Sequence, residues 1–162
     1  MNVYDFRKQL ALGQQGERLL KDAFAVRFQG AWVTDATMQE QRKKKLDALL
    51  YLPNTKKTIH IEFKTDFLSQ KYGNLIYEIV SVDRNNTPGW VYASKAELLT
   101  WLCWHEKEVL ILEFETVRHN IKRWQRQYKT KKIRNKTYNT IGIAVPLHES
   151  RDIAIDRFFL KT

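Results

Sequence analysis

Leu46-Asp47-Ala48-Leu49-Leu50-Tyr51-Leu52, followed after a short break by Thr58-Ile59-His60-Ile61-Glu62-Phe63-Lys64-Thr65, is the stretch that decides the fold. Both segments are short and apolar, and the polar Pro53-Asn54-Thr55-Lys56-Lys57 between them reads as the turn of a β-hairpin. Side chains two apart in a strand point the same way. Glu62 and Lys64 are therefore neighbours, while Ile59, Ile61 and Phe63 share the opposite face. Charged residues are rarely buried unless they are paired or hold a metal. Asp47 and Glu62, converging with an ammonium at adjacent strands, suit a hard divalent cation and the anion it activates.

The flanking sequence supplies the remaining elements. Residues 3–28 read as a helix offering Leu10, Leu19, Leu20 and Phe24 to a core, with Gly13 and Gly16 permitting close approach of another chain segment. Residues 31–37 form a first strand and residues 39–45 a polar, basic connector. Downstream, residues 74–82 form a strand ended by the loop Asp83-Arg84-Asn85-Asn86-Thr87-Pro88-Gly89. Ser94 and Glu97 have capping-box spacing and predict a helix to Trp104. Residues 109–114 are a continuous apolar run, fit for a strand buried on both faces. Residues 116–129 read as a helix with an apolar stripe of Val117, Ile121, Trp124 and Tyr128, and a basic stripe of Arg118, Lys122, Arg126 and Lys129. A basic loop over residues 131–139 and a late strand over 140–145 follow. This order predicts an α/β fold, with a mixed central sheet flanked by helices.

The chain has 162 residues, the size of one domain with one sizeable core. A hydrophobic fraction of 43% with five Trp, seven Tyr and eight Phe argues for a globular fold and against disorder. No apolar stretch approaches the roughly 20 residues of a membrane span, and the first residues have no signal-peptide pattern. A single cysteine, Cys103, excludes an internal disulfide and fits a buried thiol in a reducing cytoplasm. His105-Glu106-Lys107-Glu108 lacks the second histidine of a zinc motif. The net charge of +10 is concentrated between Thr116 and His148, where nine basic residues meet no Asp or Glu. An imbalance of that size points to a polyanion, and to nucleic acid before a membrane surface.

Gly13-Gln14-Gln15-Gly16-Glu17 on the first helix, then Asp47, then Glu62-Phe63-Lys64 resemble the PD-(D/E)XK nuclease superfamily. Glu-x-Lys alone is common; the spaced combination in this element order carries the resemblance. It covers residues 10–114 and implies an α-β-β-β-α-β core, with residues 115–162 as a basic elaboration. It also implies Mg²⁺, with Mn²⁺ as a substitute, bound by Asp47, Glu62 and the Phe63 backbone carbonyl, with Glu17 completing or orienting the site. Lys64 would hold the attacking water and offset charge on the scissile phosphate. Glu78 and His60 are candidates for outer positions around the site, and Asp66 reads as a strand-end charge.

Duplex DNA is the expected partner. The basic helix stripe would contact phosphates, and Lys131, Lys132, Arg134, Asn135 and Lys136 are candidates for phosphate or base contacts. Lys43, Lys44 and Lys45 precede Asp47 and should lie near the cut, while Arg84, Asn85 and Asn86 form a second polar loop. One site per chain calls for a homo-oligomer, dimer or tetramer, to cut both strands, and some of the five tryptophans are candidates for its contact. Asn74-Leu75-Ile76-Tyr77-Glu78 with Gly89-Trp90 is similar to phage and mobile-element members of the superfamily, including homing endonucleases. A Holliday-junction resolvase is the second enzyme reading, and a non-catalytic DNA-binding protein the reading from another class.

Overall fold

The computed structural model describes residues 6–161, with side chains from residue 10 onward. It begins with α1 (Phe6–Arg27), β1 (Trp32–Asp35), α2 (Met38–Lys44), β2 (Ala48–Leu52) and β3 (Lys57–Asp66). The expected start of the first helix at residue 3 lies outside the described residues. Next come α3 (Ser69–Tyr72), β4 (Asn74–Val82), a 3-10 turn (Asp83–Asn85), β5 (Thr87–Pro88) and α4 (Trp90–Ala93). The chain continues with β6 (Leu98–Cys103), β7 (Glu108–Glu113), α5 (Phe114–Gln127), β8 (Thr130–Arg134), β9 (Asn139–Pro146), α6 (Leu147–Asp152) and β10 (Asp156–Phe159).

Two sheets result. The larger is mixed, in the order β1-β2-β3-β6-β7-β10, with β3 and β6 parallel and the other neighbours antiparallel. The smaller is antiparallel, in the order β5-β4-β9-β8. On one face of the larger sheet, α1 buries Leu20 and Phe24 against Ala48, Leu50, Ile61 and Phe63. On the other face, Leu99, Trp101 and Cys103 meet Val117, Ile121 and Trp124 of α5 and Leu75, Tyr77, Ile143 and Val145 of the smaller sheet. The alternation on β3 thus sends Ile61 and Phe63 beneath α1 and leaves Glu62 and Lys64 on the other side. No described helix is long and apolar enough to cross a membrane.

Several sequence expectations are corrected. Leu10 is 50% exposed and stays out of the core. The connector over residues 39–45 is mostly helix α2, because Thr37 and Glu40 form a reciprocal capping box. The expected helix from Ser94 to Trp104 is instead strand β6. Its six residues are apolar or buried on every side, so a helix there would have no polar face to turn to solvent. Parallel pairing of β3 with β6 demands a crossover, and residues 67–97 provide it through β4, β5 and the four-residue helices α3 and α4. The basic loop over residues 131–139 is largely β8 and the turn into β9.

The tryptophans divide. Trp90, Trp101 and Trp124 join Tyr77 and Phe114 in one internal aromatic cluster, with ring centroids 5.1–6.1 Å apart. Trp104 packs on Phe67 and carries Lys107 over its ring. Trp32 is the exposed one, stacked on Tyr51.

Candidate active site

Asp47 sits where the chain bends from α2 into β2. Its N–H donates to the Ile61 carbonyl and its own carbonyl accepts from Ala36, both at 2.9 Å, so its backbone extends the sheet by one residue. Its Oδ2 accepts the N–H of Phe63 at 2.7 Å. The carboxylate therefore hangs on β3 at the residue between Glu62 and Lys64. Phe63 serves the site through this N–H, while its ring lies in the core against Phe24.

Glu62 is 5% exposed. Its Oε1 accepts from Lys64 Nζ, and its Oε2 accepts from the Ser94 hydroxyl at 3.4 Å. Burial raises the Glu62 pKa; Lys64 opposes the shift and the Asp47 charge adds to it. Burial also works against the charge of Lys64, but Glu62, Asp47 and Glu78 outweigh it and its pKa is raised. A quarter of the Lys64 side chain stays open to solvent, and its ammonium stands 5.4 Å from the Trp90 ring centroid.

Glu17 reaches this group because α1 lies almost on β3. A Cβ at Gly16 would fall 1.9 Å from Thr65 Oγ1 and 2.9 Å from its Cβ, so only glycine permits the approach. Burial raises the Glu17 pKa, and Asp47 raises it further. Glu78 arrives from the smaller sheet. Its Oε1 accepts the Trp90 N–H at 3.3 Å, and burial raises its pKa while Lys64 lowers it. A second close approach fixes this corner, since a Cβ at Gly89 would stand 2.3 Å from the Glu78 carbonyl oxygen.

Four carboxylates thus surround one ammonium, and burial raises the pKa of three of them. The local shortage of positive charge is what a hard cation corrects. Among the described residues, no three His, Cys, Asp or Glu side chains converge as a metal-ligand group. Glu17 is felt by Asp47 and Lys64 through its charge. A magnesium site fits this donor set, because Mg²⁺ keeps several waters and takes one or two protein carboxylates.

His60 is paired with Glu97. Its N–H and ring Nδ1 both meet Glu97 Oε2, at 3.0 and 3.1 Å. Asp66 accepts from the N–H groups of Leu68 and Ser69 and starts α3. Two residues that sequence reasoning did not place are Ser94 and Trp90. Ser94 has the spacing of a helix cap, but its full burial against a carboxylate depends on a crossover that local spacing does not encode.

Comparison with models of known families, with curated proteins and with solved structures finds no match.

The basic residues fall into three groups. Lys43, Lys44 and Lys45 are exposed at the end of α2, immediately before Asp47, with Lys44 3.8 Å from Glu40. On α5, Lys122 and Arg126 are exposed, with Lys129 just beyond the helix, but Arg118 is not a free surface cation. Its guanidinium donates to the carbonyls of Val91, at 2.9 Å, and Ser94, and lies over Phe114. It ties α4 to α5. Arg84, Lys131, Lys132, Arg134 and Lys136 are exposed around one end of the smaller sheet. Asn135 Nδ2 donates to Thr140 Oγ1 and Asn85 Oδ1 accepts from Thr87, which fixes both side chains while leaving the Asn85 NH2 group and the Asn135 Oδ1 for other contacts.

Proposed function

We propose that the chain is a Mg²⁺-dependent endodeoxyribonuclease whose central sheet is a restriction-endonuclease-like core. The observation that carries this reading is the Asp47 carboxylate held on the Phe63 N–H, with Glu62 and Lys64 on either side of that residue. The basic balance of the chain supports a phosphodiester as the substrate.

Asp47 and Glu62 are the residues that would hold Mg²⁺, which supplies a water of lowered pKa and positive charge beside the phosphate. Lys64 donates a hydrogen bond to the attacking water and offsets charge that builds on the phosphate oxygens in the transition state. The water oxygen forms a new bond to phosphorus as the bond to the leaving sugar oxygen breaks; the proton the water loses passes to solvent, and the leaving oxygen takes one up from solvent. Glu17 and Glu78 surround Lys64 with negative potential and keep it cationic. Trp90 stands over Lys64 and shields that side of the site from bulk water, where such fields weaken.

A protein that only binds DNA gives no reason for buried carboxylates aimed at a phosphate, because they oppose its affinity. Cutting both strands with one site per chain calls for a homo-oligomer. Site-specific cleavage of the homing or restriction type is the mode proposed; a junction resolvase would prefer cruciform over linear duplexes.

Incubation with a randomised duplex library and Mg²⁺, followed by sequencing of the cut ends, tests the reading. Cleavage should require the metal and vanish in Asp47→Ala and Glu62→Ala, while both variants still bind DNA in Ca²⁺. Cutting by either variant at the wild-type rate would falsify the assignment.

A further inference from the structure

We propose that the β8–β9 hairpin and the 3-10 turn at Asp83–Asn85 form one rigid β-ribbon platform that enters the major groove of duplex DNA. The inference rests on duplex DNA being the substrate but not on its being cut.

The rigidity comes from Asp83. Its carboxylate accepts the Asn139 N–H at 2.9 Å and the Asn139 amide at 2.7 Å, and pairs with Lys132 at 3.5 Å. These bonds hold its pKa below the usual carboxylate range, the Asn139 N–H contributing most. Thr140 Oγ1 adds a hydrogen bond to the Ser81 carbonyl at 3.0 Å, and Asn135 N–H closes the hairpin turn on Tyr138 at 2.9 Å. A turn between β4 and β5 is thereby fastened to a hairpin more than fifty residues later in the chain.

Over residues 81–88 and 129–141 there are six cations and one carboxylate, and that carboxylate is consumed inside the latch. Lysines on an outer strand also discourage edge-to-edge aggregation. Blocking an edge needs only charge, however, and gains nothing from a latch that fixes the hairpin's direction.

The dimensions fit B-DNA. Lys132 and Arg134 share one face of β8, about 6.6 Å apart at the usual strand rise. Phosphates along one strand recur every ~3.4 Å of axis but stand further apart through space, because the strand winds round that axis, so a cation pair at this spacing suits successive phosphates. A two-stranded ribbon fits a major groove about 12 Å wide, whereas the A-form RNA groove is too deep and narrow to admit it. Along β4, Asp83 lies five residues beyond Glu78 at the candidate site, roughly 17 Å at strand rise. That is about half a helical turn of duplex, at ~34 Å per turn.

The test is fluorescence anisotropy of the full chain in Ca²⁺ with a 30-base-pair DNA duplex, the same sequence as duplex RNA, and polyglutamate. Arg134→Ala/Lys136→Ala should weaken DNA binding about tenfold and lower the slope of log affinity against log salt by nearly 2. Asp83→Ala adds one unit of positive charge, so charge alone would tighten binding; the latch predicts weaker binding. Unchanged DNA affinity in the double variant, tighter binding in Asp83→Ala, or a preference of the wild type for RNA or polyglutamate overturns the proposal. Ribbon-dependent DNA binding without any cleavage in Mg²⁺ would support this platform while defeating the nuclease reading.

Discussion

Gly16 and Thr65 are in such close contact that a single methyl group on the glycine would overlap the threonine hydroxyl, with the added carbon 1.9 Å from Oγ1. Rotating the threonine gives no relief, because its Cβ and Cγ2 would stand 2.9 and 3.0 Å away. Gly16→Ala should therefore lift α1 and carry Glu17 away from Asp47. Overpacking costs about 1–3 kcal/mol, and better helix propensity returns up to ~1 kcal/mol. Urea unfolding should show a net loss of up to about 2 kcal/mol, and metal-dependent activity should fall with it. A variant as stable and active as the parent would show that the helix can yield without consequence.

Raised pKa values on Glu17, Glu62 and Glu78 mean that their ionised forms cost stability at neutral pH, and that protonation on acidification relieves the cost. A divalent cation relieves it too. Mg²⁺ at 100 times its Kd should add about 2.7 kcal/mol, or roughly 5–10 °C in Tm for a chain of this size. Asp47→Ala and Glu62→Ala should lose the shift. An equal Tm rise in those variants would place the metal elsewhere.

Glu149 has the opposite sign. Arg123 first, with Tyr128 and Trp124, holds its carboxyl down at about 2 from an ordinary value of 4.5. A lowered carboxyl stabilises the fold above its unfolded pKa, and that contribution is lost as pH falls from about 4.5 towards 2. Glu149→Gln should cost about 1–3 kcal/mol at pH 7 and flatten the acid limb of stability against pH. Parallel acid curves for parent and variant would refute the role.

Arg118 separates structure from the proposed DNA contact on α5. Arg118→Ala strips the Val91 and Ser94 carbonyls of their donor and should destabilise by about 2 kcal/mol. It should shift Ser94, and hence Glu62, while leaving the salt dependence of DNA binding alone. Lys122→Ala/Arg126→Ala should do the reverse, with stability kept and the salt slope reduced by nearly 2. A salt slope that drops in Arg118→Ala would return this residue to the DNA-facing stripe.

The part of this architecture readable from sequence was the part set by short-range pattern. Period-two alternation placed Glu62 and Lys64 opposite Ile61 and Phe63, and the apolar stripe of α5 placed Val117, Ile121 and Trp124 in the core. Thr37-x-x-Glu40 was a genuine capping box in plain view, overshadowed by the basic residues that follow it. Ser94-x-x-Glu97 had the same spacing and was none. Ser94 turns to Glu62 and Glu97 to His60, contacts made across the crossover, so tertiary partners claimed both side chains before a helix could. The second sheet was hidden for a related reason. Nothing local in residues 74–82 says that their partner lies at residues 141–146 and not beside β3. Arg118 looked like its stripe-mates because helical periodicity reports direction, not what waits there.

The pairing of β4 with β9 also sets an order of events during synthesis. Asn74 must find Pro146 and Val80 must find Ile141, so a large loop closes before the smaller sheet exists, whereas β1, β2 and β3 can zip as neighbours. Glu78, Trp90 and Ser94 belong to the late half of that process. A chain still emerging from the ribosome would display its Asp47–Glu62 hairpin long before the wall around Lys64 closes, so the surroundings of that lysine are completed only once β9 is in place.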